Sequence, residues 1–281
     1  MKGIIIKGVG GQYTVDTGDG FYICNARGLF RKHKTSPIVG DRVEIATETE
    51  NVGTLMKLLP RSNELQRPKV ANVDLVLIVM AATKPSLHFA LLDRYLIQAE
   101  YEEIDIAICI NKADLNSAVP ATVSEIYSPI YPIFTTAASQ NLGITSLIEH
   151  MQNKTTVLAG PSGVGKSSII NLLTDRQLEV GKISDKIGRG KHTTRHTEII
   201  PLDGQSSSYV IDTPGFSSLD LPATTKTEFA VFFREFRPYL GQCRFSDCIH
   251  DSETDCAVKM QLGKTISEKR YERYLELLPT V

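Results

Sequence analysis

The 281-residue sequence has no uninterrupted apolar run approaching the ~18 residues that a membrane span requires, so no membrane association is expected. Met1 to Gly11 lacks a charged region followed by a long apolar stretch and does not read as a secretion signal, which makes a cytoplasmic location the expectation. Net charge is nearly absent: 31 Lys+Arg against 32 Asp+Glu leave −1 at pH 7. A global field that gathers nucleic acid is thereby excluded, and any RNA contact has to come from local patches. Residues 1–68 carry ten basic and seven acidic side chains, residues 69–222 twelve and sixteen, and residues 223–281 nine of each. There is no internal repeat and no low-complexity tract. Cysteine is scarce, with five in the chain. Cys24 and Cys109 stand alone in apolar, strand-like runs and read as small buried hydrophobes. What remains is an ordinary globular composition in a chain long enough for two or three domains.

Texture along the chain predicts three domains, at 1–67, 68–222 and 223–281. Residues 1–67 alternate short strand-like runs (Gly3–Lys7, Tyr13–Val15, Phe21–Asn25, Asp41–Ala46) with glycine-rich turns, as a small closed barrel of the OB type does. From Val73–Ala81 onward, continuous apolar runs at Ile104–Ile110, Tyr131–Thr135 and Thr155–Ala159 read as strands buried on both faces. They alternate with helical stretches at about Leu87–Tyr101 and Leu142–Met151. That alternation implies a multidomain α/β protein with a parallel, doubly wound sheet. After residue 222 the pattern turns helical around a Cys/His cluster.

Gly160-Pro161-Ser162-Gly163-Val164-Gly165-Lys166-Ser167 matches G-x-x-x-x-G-K-[ST] between a strand and a helix. The glycines let backbone N–H groups turn around a β-phosphate, and the following helix, with Ser168 in its first turn, offers its positive end to the same anion. Lys166 is expected to reach the β- and γ-phosphates, and the Ser167 hydroxyl to ligate Mg²⁺. Asp212-Thr213-Pro214-Gly215 follows the strand Tyr209–Ile211. Asp212 is the second expected Mg²⁺ partner, and the Gly215 N–H is placed to meet a γ-phosphate. Asn111-Lys112-Ala113-Asp114 is the N-K-x-D pattern. A carboxylate at 114 accepts two hydrogen bonds from guanine N1–H and the 2-amino group, and adenine offers neither. Thr136 and Ala137, in Thr135-Thr136-Ala137, stand where a short loop completes a base pocket, although the S-A-K form usual there is missing.

Between phosphate loop and Asp212 lies Gly188-Arg189-Gly190-Lys191-His192-Thr193-Thr194-Arg195-His196. Thr193 or Thr194 is expected to close over the γ-phosphate and bind Mg²⁺. Phe216 occupies the position where many GTPases carry a water-orienting glutamine. His192 is the substitute candidate; a solvated loop histidine is the alternative. Near the C-terminus, Cys243, Cys248, His250 and Cys256 bring three thiols and one imidazole into fourteen residues. Such a set suits a closed, structural tetrahedral Zn²⁺ site. Around it Arg234, Arg237, Arg244, Lys264, Lys269, Arg270 and Arg273 suggest contacts to RNA phosphates. The run Arg27-Gly28-Leu29-Phe30-Arg31-Lys32-His33-Lys34 forms a stronger basic patch in the expected barrel.

The motif order is rotated, because the base-reading element (111–114) precedes the phosphate loop (160–167) and the Asp212 motif comes last. Circular permutation produces this order with the sheet intact. It also makes the loop after Asp212 lead straight into the C-terminal region, so a γ-phosphate-dependent shift of that region is an expectation. In these motifs, across essentially its whole length, the chain resembles the RsgA (YjeQ/YloQ) family of circularly permuted bacterial GTPases. The resemblance implies an N-terminal OB fold, a zinc-binding C-terminal domain, and GTP hydrolysis stimulated by the 30S subunit during its late maturation. It further implies GTP/GDP and 16S rRNA as partners of a monomer. A GTP-gated RNA-binding module in which hydrolysis is incidental is the alternative. A kinase would need an acceptor site, for which the sequence offers no residue set.

Overall fold

The computed structural model describes residues 1–26, 36–66, 68–174, 197–204, 207–212 and 221–281. Strands β1 (Lys2–Val9), β2 (Gln12–Asp16), β3 (Phe21–Ala26), β4 (Arg42–Thr49) and β5 (Val52–Leu58) form a closed barrel in the order β1-β2-β3-β5-β4. The parallel β3–β5 pair and the β1–β4 closure give the OB arrangement. Period-two alternation sends Ile5, Val15, Cys24, Val43, Ile45 and Leu55 inward as its core. A short hairpin, β6 (Glu64–Gln66) and β7 (Lys69–Ala71), separates the barrel from the central sheet.

That sheet has six strands in the order β10-β9-β8-β11-β13-β12: β8 (Leu75–Ala81), β9 (Asp105–Asn111), β10 (Ile133–Thr135), β11 (Thr155–Ala159), β12 (Glu198–Pro201) and β13 (Tyr209–Asp212). All neighbours are parallel except the β12–β13 hairpin. Consecutive residues of β8 alternate between two cores. Val76, Ile78 and Met80 pack under helices α1 (Phe89–Tyr101) and α2 (Ala118–Tyr127). Leu75, Leu77 and Val79 pack under α3 (Ile144–Met151) and α4 (Lys166–Leu173). Burial on both faces is why the strands read as unbroken apolar runs. Three elements had no clear sequence signal. Helix α2 carries Pro120 in its first turn, where the missing N–H costs nothing; β12 is only four residues long, and the two strands of the β6–β7 hairpin three each.

The C-terminal region realises its helical texture mostly as 3₁₀ turns. Helix α5 (Lys226–Phe229) opens on a capping box between Thr225 and Glu228. The 3₁₀ segments Ala230–Phe232, Arg234–Tyr239 and Lys259–Gln261 follow, and then the ten-residue α6 (Glu268–Leu277). Phe229, Phe233, Phe236 and Tyr274 form its aromatic centre, with ring centroids 5.1–5.7 Å apart in five of their pairs. Ile97 of α1 joins this core from the central domain. Among the described residues, no helix is long and apolar enough to cross a membrane.

Candidate nucleotide site and metal centre

Strands β9, β10, β11 and β13 point their C-terminal ends to one edge of the sheet, where ligands bind in doubly wound folds. The phosphate loop leaves β11 at Gly160 and enters α4 at Gly165. Gly165 has φ +101, and a Cβ there would fall 2.3 Å from Asn111 Nδ2. The close approach is the reason for the glycine, because Asn111 is the strap between the two motifs. Its Nδ2 donates to the Val164 carbonyl at 2.9 Å. Its Oδ1 accepts from Thr136 Oγ1 and from the Ala138 N–H, both at 3.1 Å. Asn111 is 2% exposed, so these bonds meet no competition from water.

Lys112 takes φ +59. Its ammonium donates to the Gly163 carbonyl at 2.6 Å and to the Lys84 carbonyl. The base-reading loop thus grips two successive carbonyls of the phosphate loop. Asp114 presents an exposed carboxylate, with Gln140 Nε2 at 3.4 Å from Oδ2. Ala113 donates its N–H to the Thr136 carbonyl at 3.1 Å, and Ala137 pairs with Leu142 in a bridge that closes the same loop. Lys166 Nζ donates to the Gly160 and Pro161 carbonyls at 2.6 and 2.9 Å, which holds the ammonium over the loop. Ser162 and Gly163 are exposed at the loop's crest, whereas Ser167 and Ser168 are half-buried in the first turn of α4.

The register of β13 against β11 pairs Ile211 with Val157 and so carries Asp212 to the edge from which the phosphate loop departs. Serine hydroxyls and carboxylates are the hard oxygen donors that Mg²⁺ prefers, and the chain brings one residue of each type, Ser167 and Asp212, to this edge of the sheet. His192, Thr193, Thr194 and Gly215 lie outside the described residues, as does the basic run 27–34. The structure also brings in groups the sequence did not single out: the Lys84 carbonyl, the Ala138 N–H and Gln140. No local pattern marks them, since each reaches the site only because its strand end lies beside β9 or β11.

Cys243, Cys248, His250 and Cys256 place their Sγ and Nδ1 atoms within 4.8 Å of one another. His250 Nδ1 lies 3.5, 3.4 and 3.3 Å from the three sulfurs, and Cys243 Sγ lies 3.9 Å from Cys256 Sγ. Zn–S and Zn–N bonds of about 2.3 and 2.0 Å in a tetrahedron demand edges of about 3.5–3.8 Å, so the cage fits that ion. The Ala257 N–H points at Cys243 Sγ from 3.3 Å, as a donor to a thiolate does. The loop is clamped by Glu253, which accepts from the Ile249 and Asp251 N–H groups at 2.7 and 2.8 Å. Tyr274 and Tyr271 hold the Ile249 and His250 carbonyls at 2.6 and 2.8 Å.

The basic residues around this cage divide. Arg270 is fully buried, bonded to Asp93 of α1 and, at 2.7 Å, to Glu235. Its guanidinium also stacks 4.6 Å over the Phe233 ring. Arg234 and Arg237 pair with Glu100 of α1 at 2.9 and 2.7 Å. The expectation that Arg270 faces RNA phosphates is therefore corrected, whereas the side chains of Arg234 and Arg237 keep 35% and 40% of their surface exposed. Arg270 is sealed in the core, and the other two are committed to a buried carboxylate that would be left uncompensated without them. Arg244 remains at the surface beside Asp255.

Fold and site together define a circularly permuted P-loop G domain, flanked by an OB-type barrel and a Cys/His metal cage. A family model for the RsgA GTPase matches residues 58–222, and one for the RsgA N-terminal domain matches residues 2–55. The curated small ribosomal subunit biogenesis GTPase RsgA of Agathobacter rectalis is 45% identical, over 98% of this chain and 96% of that protein. Its counterpart in Alkaliphilus metalliredigens is 43% identical over 99% and 96%. Among solved structures, YjeQ from Thermotoga maritima superposes with a TM-score of 0.84 at 34% identity, covering 99% of this chain and 97% of that one. YloQ, described as a circularly permuted GTPase, gives 0.82 at 36% identity over 99% and 93%. The chain belongs to the RsgA GTPase family and is, with it, a hydrolase acting on GTP.

Proposed function

We propose that this protein hydrolyses GTP as a timer in late maturation of the 30S ribosomal subunit, and that the subunit stimulates its turnover. The observation that carries this reading is the double grip of the base-reading loop on the phosphate loop, Asn111 to Val164 and Lys112 to Gly163. It supports the reading because it ties the loop that carries Asp114 to the loop that carries Lys166, and the curated relatives are named for small-subunit biogenesis.

In this reading the domains are 1–67 for RNA binding, 68–222 for the nucleotide and 223–281 for the metal. Asn111, Lys112, Asp114, Thr136 and Ala137 form the base pocket. Residues Gly160 to Ser168 hold the phosphates. Ser167, Asp212 and one of Thr193 and Thr194 bind Mg²⁺, which neutralises charge between the β- and γ-phosphates. Lys166 stabilises the same charge, and Gly215 senses the γ-phosphate. His192 orients the attacking water, because Phe216 cannot. Zn²⁺ in the Cys₃His cage is structural. The barrel and the Cys/His domain contact 16S rRNA as a cytoplasmic monomer binds the subunit.

The deciding measurement is GTP turnover with and without purified 30S subunits. Strong stimulation supports the timer. Tight GTP-dependent binding without stimulation transfers support to a GTP-gated binding module. His192→Ala is expected to lower stimulated turnover while leaving GTP affinity within a few-fold; normal stimulated turnover removes the histidine from catalysis.

A further inference from the structure

The two flanking domains are attached to the central domain at different places. The Cys/His domain sits on α1 through two buried carboxylates, Asp93 with the buried Arg270, and Glu100 with the partly exposed Arg234 and Arg237. Asp93 and Glu100 are seven residues apart, on one face of one helix. Separating them would strand buried carboxylates, so this attachment behaves as one rigid piece.

The barrel docks elsewhere. Ile4 and Ile6 of β1 enter the same apolar cluster as Ile199 of β12 and Tyr209 and Ile211 of β13. Tyr209 donates its hydroxyl to Asp16 Oδ2 at 3.1 Å; Tyr209 and Asp16 are only 8% and 9% exposed. Lys7 of β1 lies 3.6 Å from Glu198 of β12. The β12–β13 hairpin runs in sequence from the Thr193-Thr194 segment to the Asp212 motif, and Glu198 is paired in register with Asp212 itself. Both motifs that would report a γ-phosphate therefore bracket one two-stranded element, and the barrel rests on that element. Tyr209 is three residues from Asp212 on the same strand.

We propose that the nucleotide state is passed to the barrel through the β12–β13 hairpin, with Tyr209 as the coupling residue, while the Cys/His domain stays fixed to α1. The inference rests on the GTP/GDP reading of the central site. It reverses the expectation, drawn from chain order alone, that the C-terminal region is what moves. Covalent succession after Asp212 is a weaker link than a packed contact, since a connecting loop transmits displacement only when it is taut. Tyr209 is a positioning residue, because it begins β13 while Asp212 ends it, and its hydroxyl is engaged by Asp16 of the barrel. Its role is to make a shift of β13 a shift of Asp16 and of the barrel rim.

The test is hydrogen exchange read by mass spectrometry on the full chain, bound to GDP and to a non-hydrolysable GTP analogue. Affinity for a fluorescent GDP is measured first on the same samples. Amides of Lys2–Val9 and Gln12–Asp16 are expected to exchange at rates differing by at least about fivefold between the two states. Those of Glu268–Leu277 are expected to exchange alike. Tyr209→Phe, which keeps the ring and removes the hydroxyl, is expected to reduce the barrel difference below about twofold with GDP affinity unchanged. Barrel exchange that is identical in both states of the unaltered protein overturns the proposal, whatever the variant does. So does a Cys/His domain that responds as strongly as the barrel, or a full barrel difference retained in Tyr209→Phe. Absence of guanine nucleotide binding would overturn the parent reading and this inference together; binding without a barrel response overturns this inference alone.

Discussion

Gly165 shows how single residues set this site. A methyl group there meets the Asn111 amide at 2.3 Å, and φ +101 is already strained for any side chain. Gly165→Ala is therefore expected to push Asn111 off the Val164 carbonyl and to add roughly 1–2 kcal/mol of backbone strain. Titration with fluorescent GDP should show an affinity loss of about tenfold or more in a chain that still melts cooperatively. Asp114 makes the second test. Two hydrogen bonds to a carboxylate, at about 1.5–3 kcal/mol each, predict at least a ~100-fold loss of GTP affinity in Asp114→Ala. Retained GTP affinity in that variant, or ATP bound as tightly as GTP by the unaltered protein, would sink the guanine assignment. Cys109 sits behind this loop with its Sγ 3.3 Å from Thr136 Oγ1, and burial pushes its thiol up to about 12. It stays protonated and packs as a small hydrophobe, as its apolar sequence surroundings suggest.

At the scale of elements, α1 connects the most parts. One face packs on β8 and β9, and the other carries Asp93, Ile97 and Glu100 into the C-terminal domain. The Tyr127 hydroxyl of α2 adds a hydrogen bond to Asp93 at 2.8 Å. Arg270→Met leaves Asp93 and Glu235 buried without their cation and is expected to cost about 3–5 kcal/mol. Urea denaturation should register it as a lowered midpoint with an unchanged slope. Adding Asp93→Leu and Glu235→Leu should restore most of the loss, because an apolar cluster of similar volume carries no desolvation penalty. The sequence presented Arg270 as one of seven basic residues near the metal cage, with nothing to distinguish it. Its burial depends on Asp93, 177 residues away.

At the scale of the molecule, the three units depend differently on their own cores. The barrel and the sheet carry apolar clusters that close without a metal. In the C-terminal unit Cys248 and Cys256 are themselves part of the core. Apparent metal-binding energies of about 10–16 kcal/mol for such cages are folding energy. Stripping the ion with a strong chelator should therefore release protection in residues 243–258 while GDP binding and barrel protection persist. Global unfolding on chelation would contradict this division of the core.

The motifs were legible in the sequence because each is local: a glycine turn between strand and helix, a carboxylate three residues after an asparagine, four soft ligands in fourteen residues. Their rotated order was equally plain, since order is a property of the chain itself. The doubly buried strands of the sheet were legible because burial on both faces removes polar residues from the run. Tertiary structure alone decided which arginines are buried, which carbonyls Lys112 holds, and that the barrel rests on the β12–β13 hairpin while the Cys/His unit rests on α1. Those outcomes join residues up to 193 positions apart. They follow from which strand lies beside which in the sheet, and no short-range pattern of side chains encodes that.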